Sequence, residues 1–308
     1  MKKKLLSILL ALCMALTLLP ASALADEAAD AAVLARLEQF KVASEKTWAD
    51  VYYLVLRGQG AIGADTLSDS VRSQIMNYLA TVEELDLQGP KTYQSDFPDL
   101  GVLKPFTGLK TLKVTGAMSG STAALNIGAL ANLKNLETVA LSGNNITDIG
   151  ALANCTAIKS LDLSGNSGLT DFGALEYLTQ LKELNLSGTG ANNETFGAIQ
   201  KLSLTSLDLS KTAVSDIGGL TYDPSGVAGT NTVKTTLQTL DISNTSVTAL
   251  DSGLWRENKP VFSQLTTLKA QGLNLTSIAG LANIASQTGF DATGITWDLT
   301  DSRVSGSD

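Results

Sequence analysis

Two pairs of carboxylates lie where acidic groups could cleave a glycosidic bond. Asp162 with Glu183, and Asp208 with Asp241, are each split between successive copies of a repeated segment. Glycoside hydrolysis needs an acid and a second carboxylate about 5 to 9.5 Å apart, together with a cleft that holds sugar rings. A carbohydrate-binding or carbohydrate-cleaving protein is therefore one hypothesis for this chain.

The composition excludes several other kinds of chemistry. The 308 residues contain no His, which removes His-activated nucleophiles, His acid–base catalysis and His-ligated zinc. The net charge is −8 and only 5% of the residues are aromatic. Duplex binding needs phosphate neutralisation, and single-strand binding needs stacking platforms, so we expect no nucleic-acid partner. We predict no cofactor and no metal centre.

The first 25 residues read as a secretory signal peptide. Lys2–Lys4 form a basic start, residues 5–19 are apolar, and Ala23-Leu24-Ala25 provides a small-residue cleavage pattern. We predict cleavage after Ala25, with an uncleaved membrane anchor as the alternative. The product would be exported, without membrane insertion, to the extracellular space or the cell envelope.

A repeated pattern indicates the fold. L-x-x-L-x-L, with Val or Ile substituting for Leu, recurs in eight copies with a unit of about 22 residues and several insertions. Alternation within each copy predicts a strand whose leucines fill a core. The copies begin at Val82, Leu109, Leu136, Ile158, Leu181, Leu204, Leu237 and Leu265.

Two polar columns within the repeat have predicted structural roles. A buried Asn, or a Thr in later copies, would satisfy backbone groups where the chain leaves the strand. An Asp before an apolar residue would cap a short helical turn on the outer side. The first column is Asn144, Asn166, Thr189, Thr212 and Thr245, and the second is Asp148, Asp171 and Asp216.

With these motifs the chain resembles a secreted bacterial leucine-rich-repeat protein of the internalin type, whose unit is similar to L-x-x-L-x-L-x-x-N-x-I-x-D-I-x-x-L. The resemblance covers roughly residues 82 to 286 and departs from the pattern in the Thr-for-Asn exchanges and the insertions. It implies an α/β solenoid, with a curved parallel sheet and short helical turns on the convex side. The host-invasion role of some family members is not implied, because no receptor-binding set matches.

The predicted organisation has four segments: a signal peptide at 1–25, a helical N-terminal cap at 26–80, the leucine-rich-repeat solenoid at 81–286, and a degenerate last repeat with a C-terminal tail at 287–308. Helical spacing of apolar residues supports the second segment, and a first repeat without a cap would expose its core. A separate small functional domain is the alternative there. Gln287, Phe290, Ala292, Ile295 and Trp297 fit the last repeat.

Cys155 is the single cysteine left after the predicted cleavage, so it has no internal disulfide partner. In five other copies the equivalent residues are Leu79, Phe106, Leu133, Leu178 and Phe262. A thiol in an apolar column packs as a small hydrophobe and is inert. We therefore interpret Cys155 as a core residue.

The concave face of the sheet is the leading candidate binding surface. Its third and fifth repeat positions hold six carboxylates and two lysines, with no aromatic side chain. Asp208 and Asp241 would be neighbours, and a basic partner or a cation would relieve their repulsion; the alternative is that these residues only keep the strands soluble. The candidate residues are Glu84, Asp86, Lys113, Asp162, Glu183, Asn185, Asp208, Asp241 and Lys269.

Loop insertions offer a second candidate surface. Tyr222 lies in the longest insertion, and Trp255 stands beside Arg256 in the next. Trp and Arg dominate interface hot spots, although Trp255 could instead fold over the edge of the solenoid. The predicted function is an exported, monomeric, non-enzymatic module that binds a protein ligand, with a structural cell-envelope spacer as a further alternative.

Overall fold

The computed structural model describes residues 21–43, 48–59, 67–88, 99–118, 120–220, 231–250, 255–256, 259–260, 262, 264–276 and 296–304. The chain divides into two compact units, Met1–Val82 and Glu83–Asp308. Because helical periodicity dominates the first sequence segment and the leucine repeat dominates the second, each unit has its own kind of core.

The described residues of the N-terminal unit form three helices, α1 (Ala21–Val42), α2 (Trp48–Gln59) and α3 (Asp69–Leu79). The residues at helical spacing are buried, and the predicted helical N-terminus is confirmed. Its role as a cap stays a prediction, as does cleavage after Ala25, which lies within α1. The buried residues are Val33, Leu37, Phe40, Val51, Leu54, Val55, Val71, Ile75 and Leu79. Among the helices that the structure describes, none is both long and apolar enough to cross a membrane.

The second unit is built on one open sheet of nine parallel strands that follow one another in chain order. The predicted α/β leucine-rich-repeat solenoid is confirmed. The strands are β1 (Glu84–Gln88), β2 (Thr111–Thr115), β3 (Thr138–Ala140), β4 (Ser160–Asp162), β5 (Glu183–Asn185), β6 (Ser206–Asp208), β7 (Thr239–Asp241), β8 (Thr267–Lys269) and β9 (Thr296–Asp298).

Leucine columns explain this arrangement. In the copy around β3, Leu136, Val139 and Leu141 are each at most 1% exposed, and other copies repeat the pattern. One coil cannot bury its apolar edge alone, so each coil is stabilised by stacking on its neighbours. The pairing is in register, so residues at the same repeat position line up across the sheet.

Short helical turns return the chain to the next strand. The predicted Asp caps are present. The carboxylate Oδ1 of Asp148 accepts a hydrogen bond from the Gly150 amide at 2.7 Å. Asp171 and Asp216 accept the same hydrogen bond from the amide of the glycine two residues later. These turns are 3-10 helices at Gly101–Leu103, Gly128–Asn132, Gly150–Asn154, Gly173–Tyr177, Asn193–Thr195 and Ile217–Leu220, with single α-turns α4 (Phe196–Ile199) and α5 (Val233–Thr236).

The ninth strand lies in the predicted last repeat. β9 pairs with β8 so that Trp297 lies opposite Leu268. Of the other residues assigned to that repeat, Gln287, Phe290, Ala292 and Ile295 lie outside the described residues. The following segment, Arg303–Val304, pairs with Asn274–Leu275 in a small parallel ladder. Residues 296–304 therefore add a further coil contact to the copy before them.

Candidate functional site: the concave face

The concave face displays two rows of side chains, the third and fifth repeat positions. Strand register aligns each row across the sheet, which sets the neighbours of every candidate residue. The third-position row is Glu84, Thr111, Thr138, Ser160, Glu183, Ser206, Thr239 and Thr267. The fifth-position row is Asp86, Lys113, Ala140, Asp162, Asn185, Asp208, Asp241, Lys269 and Asp298.

The fifth-position row has a structural function that the sequence analysis missed. Oδ1 of Asp208 accepts a hydrogen bond from the Ser210 amide two residues later, at 2.8 Å. Asp162, Asn185, Asp241 and Asp298 make the same contact within their own copies. This Asx turn directs the chain out of the strand. The occurrence of both Asp and Asn two residues before Ser or Thr was the available signal, since both supply the acceptor oxygen.

The lysines of this row are already paired with acidic neighbours. Lys113 Nζ lies 3.5 Å from Asp86 Oδ2, and Lys269 Nζ lies 3.7 Å from Asp241 Oδ2. Within the described part of the chain, Asp208 has no such partner, and it lies opposite Asp241 on the next strand. The centre of the row is therefore acidic: the turn uses one oxygen of Asp208 and leaves the other without an ion pair among the described residues, whereas the second oxygen of Asp241 faces Lys269.

The two carboxylate pairs of the hydrolase hypothesis differ from each other in placement. Asp208 lies directly opposite Asp241, whereas Asp162 and Glu183 do not face each other. Glu183 lies opposite Ser160, whose hydroxyl donates to Oε2 of Glu183 at 2.9 Å, while Asp162 lies opposite Asn185. Asp162 and Glu183 are thus diagonal neighbours on an open sheet. A cavity of about 270 Å³ lies instead on the helical-turn side, beside Asp148. Among the described residues, no group of three potential metal ligands clusters.

A ladder of ion pairs runs where the strands begin, at the second repeat position. Lys110 Nζ lies 2.7 Å from Glu83 Oε1, and Lys159 Nζ lies 2.6 Å from Glu137 Oε2. The hydrogen bond from Lys159 lowers the pKa of the Glu137 carboxyl, and that with Glu83 raises the pKa of the Lys110 ammonium. Sequence reasoning missed these contacts because the partners are separated by a whole repeat.

The loop candidates are only partly within the described chain. Tyr222 lies outside the described residues. The backbone of Trp255 and Arg256 forms a short antiparallel pair with Lys259–Pro260, and their side chains lie outside the described part. Their role in binding stays a prediction.

Cys155 is fully buried in the core column of the solenoid. Its thiol donates to the Leu130 carbonyl oxygen, with sulfur and oxygen 3.2 Å apart. Desolvation by burial raises the pKa of the Cys155 thiol from 9.0 to about 11. This environment is that of a structural cysteine, because the nucleophilic species is the thiolate.

We expect the Cys155 thiol of the folded protein to resist a disulfide reagent at pH 8 and to react fully in guanidinium chloride. Because folding raises the thiol pKa, the stability contributed by the protonated thiol is complete below about pH 9 and is lost as the pH rises towards about 11. Cys155→Val should lack this component, which urea unfolding of both proteins at pH 8 and pH 10.5 measures. Rapid labelling of the native protein would contradict the assignment.

Models of known families match part of this repeat array. The model "Leucine Rich repeats (2 copies)" matches residues 134–177, and the model "Leucine Rich repeat" matches residues 200–221. These segments contain β3, β4 and β6 with their helical turns. The chain therefore contains leucine-rich repeats. No curated protein matches the chain significantly.

Solved structures share the architecture at low identity. The chain is similar to an internalin (inlF) from Listeria monocytogenes at 22% identity, with a TM-score of 0.53 over 84% of this chain and 69% of the internalin. It is also similar to a leucine-rich-repeat protein from Leptospira interrogans at 18% identity, with a TM-score of 0.50 over 75% of this chain and 58% of that one. At these identities the similarity establishes the fold alone.

Proposed function

We propose that this chain is an exported, non-enzymatic binding module whose concave face takes a basic protein ligand. The observation that carries the proposal is the acidic centre of the fifth-position row, where Asp208 faces Asp241 across two paired strands and only Asp241 has a lysine neighbour among the described residues. Like charges directly opposite each other destabilise a sheet, so a positively charged partner would gain from relieving them. Leucine-rich-repeat solenoids generally use such extended surfaces to bind proteins.

The charge of this row exceeds what the fold requires. Asn185 makes the same turn contact as its acidic neighbours, with its Oδ1 2.9 Å from the Ser187 amide. An uncharged amide therefore suffices to shape the coil. The carboxylates at Asp162, Asp208 and Asp241 supply charge beyond that role, which supports their use in recognition.

Small side chains surround the acidic row. The third-position row is mainly Ser and Thr, and none of its described side chains is aromatic. Without large aromatic anchors, affinity on this face would rest on charge, which gives fast association and salt-sensitive binding. Anchoring residues would have to come from elsewhere, and Tyr222, Trp255 and Arg256 in the insertions are the residues we propose.

Export is part of the proposal, and the N-terminal sequence supports it. The basic start at Lys2–Lys4 and the apolar run at 5–19 are typical of a secretory leader. A protein in that setting meets its ligand outside the cytoplasm, so the ligand should be an exposed protein of the envelope, the surroundings or a host surface.

The test replaces charge without changing shape. Asp162→Asn, Asp208→Asn and Asp241→Asn together keep every turn acceptor, as Asn185 does, and remove three negative charges. The control is Asp148→Asn, Asp171→Asn and Asp216→Asn, which removes equal charge on the helical-turn side, where Asn126 already accepts a hydrogen bond from the Gly128 amide. Partners are captured from envelope, culture-supernatant and host-surface extracts and then titrated as purified proteins.

We expect the concave-face triple variant to bind at least tenfold more weakly at 50 mM salt, and the control triple variant to bind like the unmodified protein. Wild-type affinity should fall as salt rises through the physiological range, because screening weakens exposed charge pairs. Affinity that is independent of salt and equal in all three proteins would remove the concave face from the proposal. In that case a loss of binding in Trp255→Ala would assign the ligand to the insertions.

A further inference from the structure

Lysines are concentrated along one edge of the solenoid. We call this the entry edge: the short segments between each helical turn and the strand that follows it. Its described residues include six lysines, every one of them exposed, whereas the charged side chains of the concave face and the helical turns are mainly carboxylates. The entry-edge lysines are Lys104, Lys110, Lys134, Lys159, Lys182 and Lys201.

Register places the second-position members of this edge in one line. Lys110, Glu137, Lys159 and Lys182 each directly precede residues that pair across adjacent strands. The charges alternate as far as Lys159, where Glu137 supplies a partner at 2.6 Å. The next copy brings a second lysine in place of an acid, so the alternation stops and positive charge accumulates.

The excess lysines have no acidic partner of their own. Among the described residues, Lys104, Lys134, Lys182 and Lys201 form no ion pair. Lys182 extends towards the following coil, where its Nζ donates to the Ser203 carbonyl oxygen at 3.2 Å. This contact directs the ammonium group towards the segment that carries Lys201, and it leaves the charge itself uncompensated.

We propose that the entry edge binds a linear anionic polymer that runs along the solenoid axis. Neighbouring parallel strands lie about 4.8 Å apart, so successive coils present charges at intervals that a phosphate- or sulfate-bearing chain can follow. Lys159 and Lys182 hold the same repeat position on adjacent coils, so their backbones are separated by about one strand spacing, which is less than the Debye length of roughly 10 Å at 0.1 M salt. This surface is separate from the acidic concave face and does not depend on the function proposed for it.

The residue type indicates the kind of recognition. Every cation among the described residues of the entry edge is a lysine, and a lysine ammonium is a mobile point charge without the planar fork of arginine. Such a surface binds a polymer according to the density of its negative charges. It lacks the paired donors that would recognise the geometry of a single phosphate or sulfate group. A second copy of this chain fits less well, since the net charge of −8 makes two copies repel each other.

The test uses two probes, fluorescently labelled inorganic polyphosphate and fluorescently labelled heparin, with anisotropy measured at 50 mM and 300 mM salt. The edge variant is Lys134→Gln, Lys182→Gln and Lys201→Gln in one protein. The matched control is Lys41→Gln, Lys211→Gln and Arg303→Gln, which changes net charge equally at positions off the entry edge and outside the concave-face candidates. Thermal melts followed by circular dichroism verify that both variants fold.

We expect the unmodified protein to bind at 50 mM salt, the edge variant to bind at least tenfold more weakly, and the control to stay within threefold of wild type. Binding should weaken at 300 mM salt. Preference for polyphosphate or for heparin would identify the anionic group. Absence of binding to both polymers, or an equal loss in both variants, would overturn the proposal. So would self-association in sedimentation without polymer that only the edge variant abolishes, because the edge would then serve a second copy.

Discussion

Asn166→Leu is expected to lower the free energy of unfolding by about 4 kcal/mol. Asn166 is fully buried, and its Oδ1 accepts hydrogen bonds from the amides of Asn144 at 2.9 Å and Ile146 at 3.0 Å. A leucine leaves both amides without a partner inside the solenoid. Each buried unsatisfied donor costs about 1 to 3 kcal/mol, and the two together give the expected size of the effect.

The amino side of the same side-chain amide adds to the loss. Nδ2 of Asn166 donates to the Leu141 oxygen at 3.0 Å in the preceding copy and to the Leu163 oxygen at 2.7 Å in its own. Leu141 keeps a second donor, since Nδ2 of Asn144 also contacts its oxygen at 3.0 Å. The unpaired amides of Asn144 and Ile146 therefore account for most of the lost stability. The mutation breaks the hydrogen bonds that join the coil of Asn166 to the preceding coil.

Asn166→Thr is the matched control, because this chain uses Thr at the same position elsewhere. The hydroxyl of Thr189 donates to the Leu186 oxygen at 2.6 Å, and that of Thr212 to the Leu209 oxygen at 2.6 Å. Thr thus replaces the contact within its own copy and not the bridge to the preceding coil. We therefore expect a loss nearly as large as with leucine, because both variants leave the Asn144 and Ile146 amides without their partner.

Urea unfolding measures the loss in the free energy of unfolding of the whole protein. Amide hydrogen exchange at Asn144 and Ile146 measures the loss of protection at the two affected amides. Repeat arrays can unfold in parts, so the local measurement keeps the prediction meaningful if the transition is not two-state. If Asn166→Leu loses less than about 1 kcal/mol, the two amides have found other partners, and the bridging role of Asn166 is wrong.

The fold could be predicted because its determinants are local and periodic. Leucine columns such as Leu136, Val139 and Leu141 specify strand, inward direction and stacking within a few residues of one another. The buried Asn144 and Asn166 and the capping role of Asp148 follow from the same local logic. Each depends on which backbone groups a turn leaves unpaired, and the repeat fixes where those turns fall.

The site was predicted less well because one residue type served two purposes. Asp208 and Asp241 were recognised as facing charges, but their turn contacts to Ser210 and Ser243 depend on the backbone path after the strand. The ion-pair ladder depends on contacts between coils, with Lys110 and Glu83 separated by 27 residues. Because the insertions between copies are irregular, the sequence does not show which residues of successive coils align. The same insertions interrupt the periodicity from which the position of Tyr222 could be predicted.

Gly190→Ala is expected to lower the free energy of unfolding by about 2 kcal/mol, while Gly197→Ala should raise it by roughly 0.5 kcal/mol. The Gly190 amide donates to the Leu169 oxygen at 2.9 Å, so this coil closes directly on the preceding one. A Cβ at Gly190 would lie 2.7 Å from that oxygen and 2.7 Å from Cγ2 of Thr170. The backbone must move, and the coil contact lengthens.

Gly197 is the control because the same substitution meets open space there. It lies in α4, and an added Cβ would contact nothing within 4 Å. Alanine is the better helix former, so the change in propensity acts alone. Urea unfolding of the two variants under identical conditions should give shifts of opposite sign. Shifts of the same sign and size would mean that the Gly190 coil adapts without cost, and that the close approach to Leu169 does not constrain residue choice.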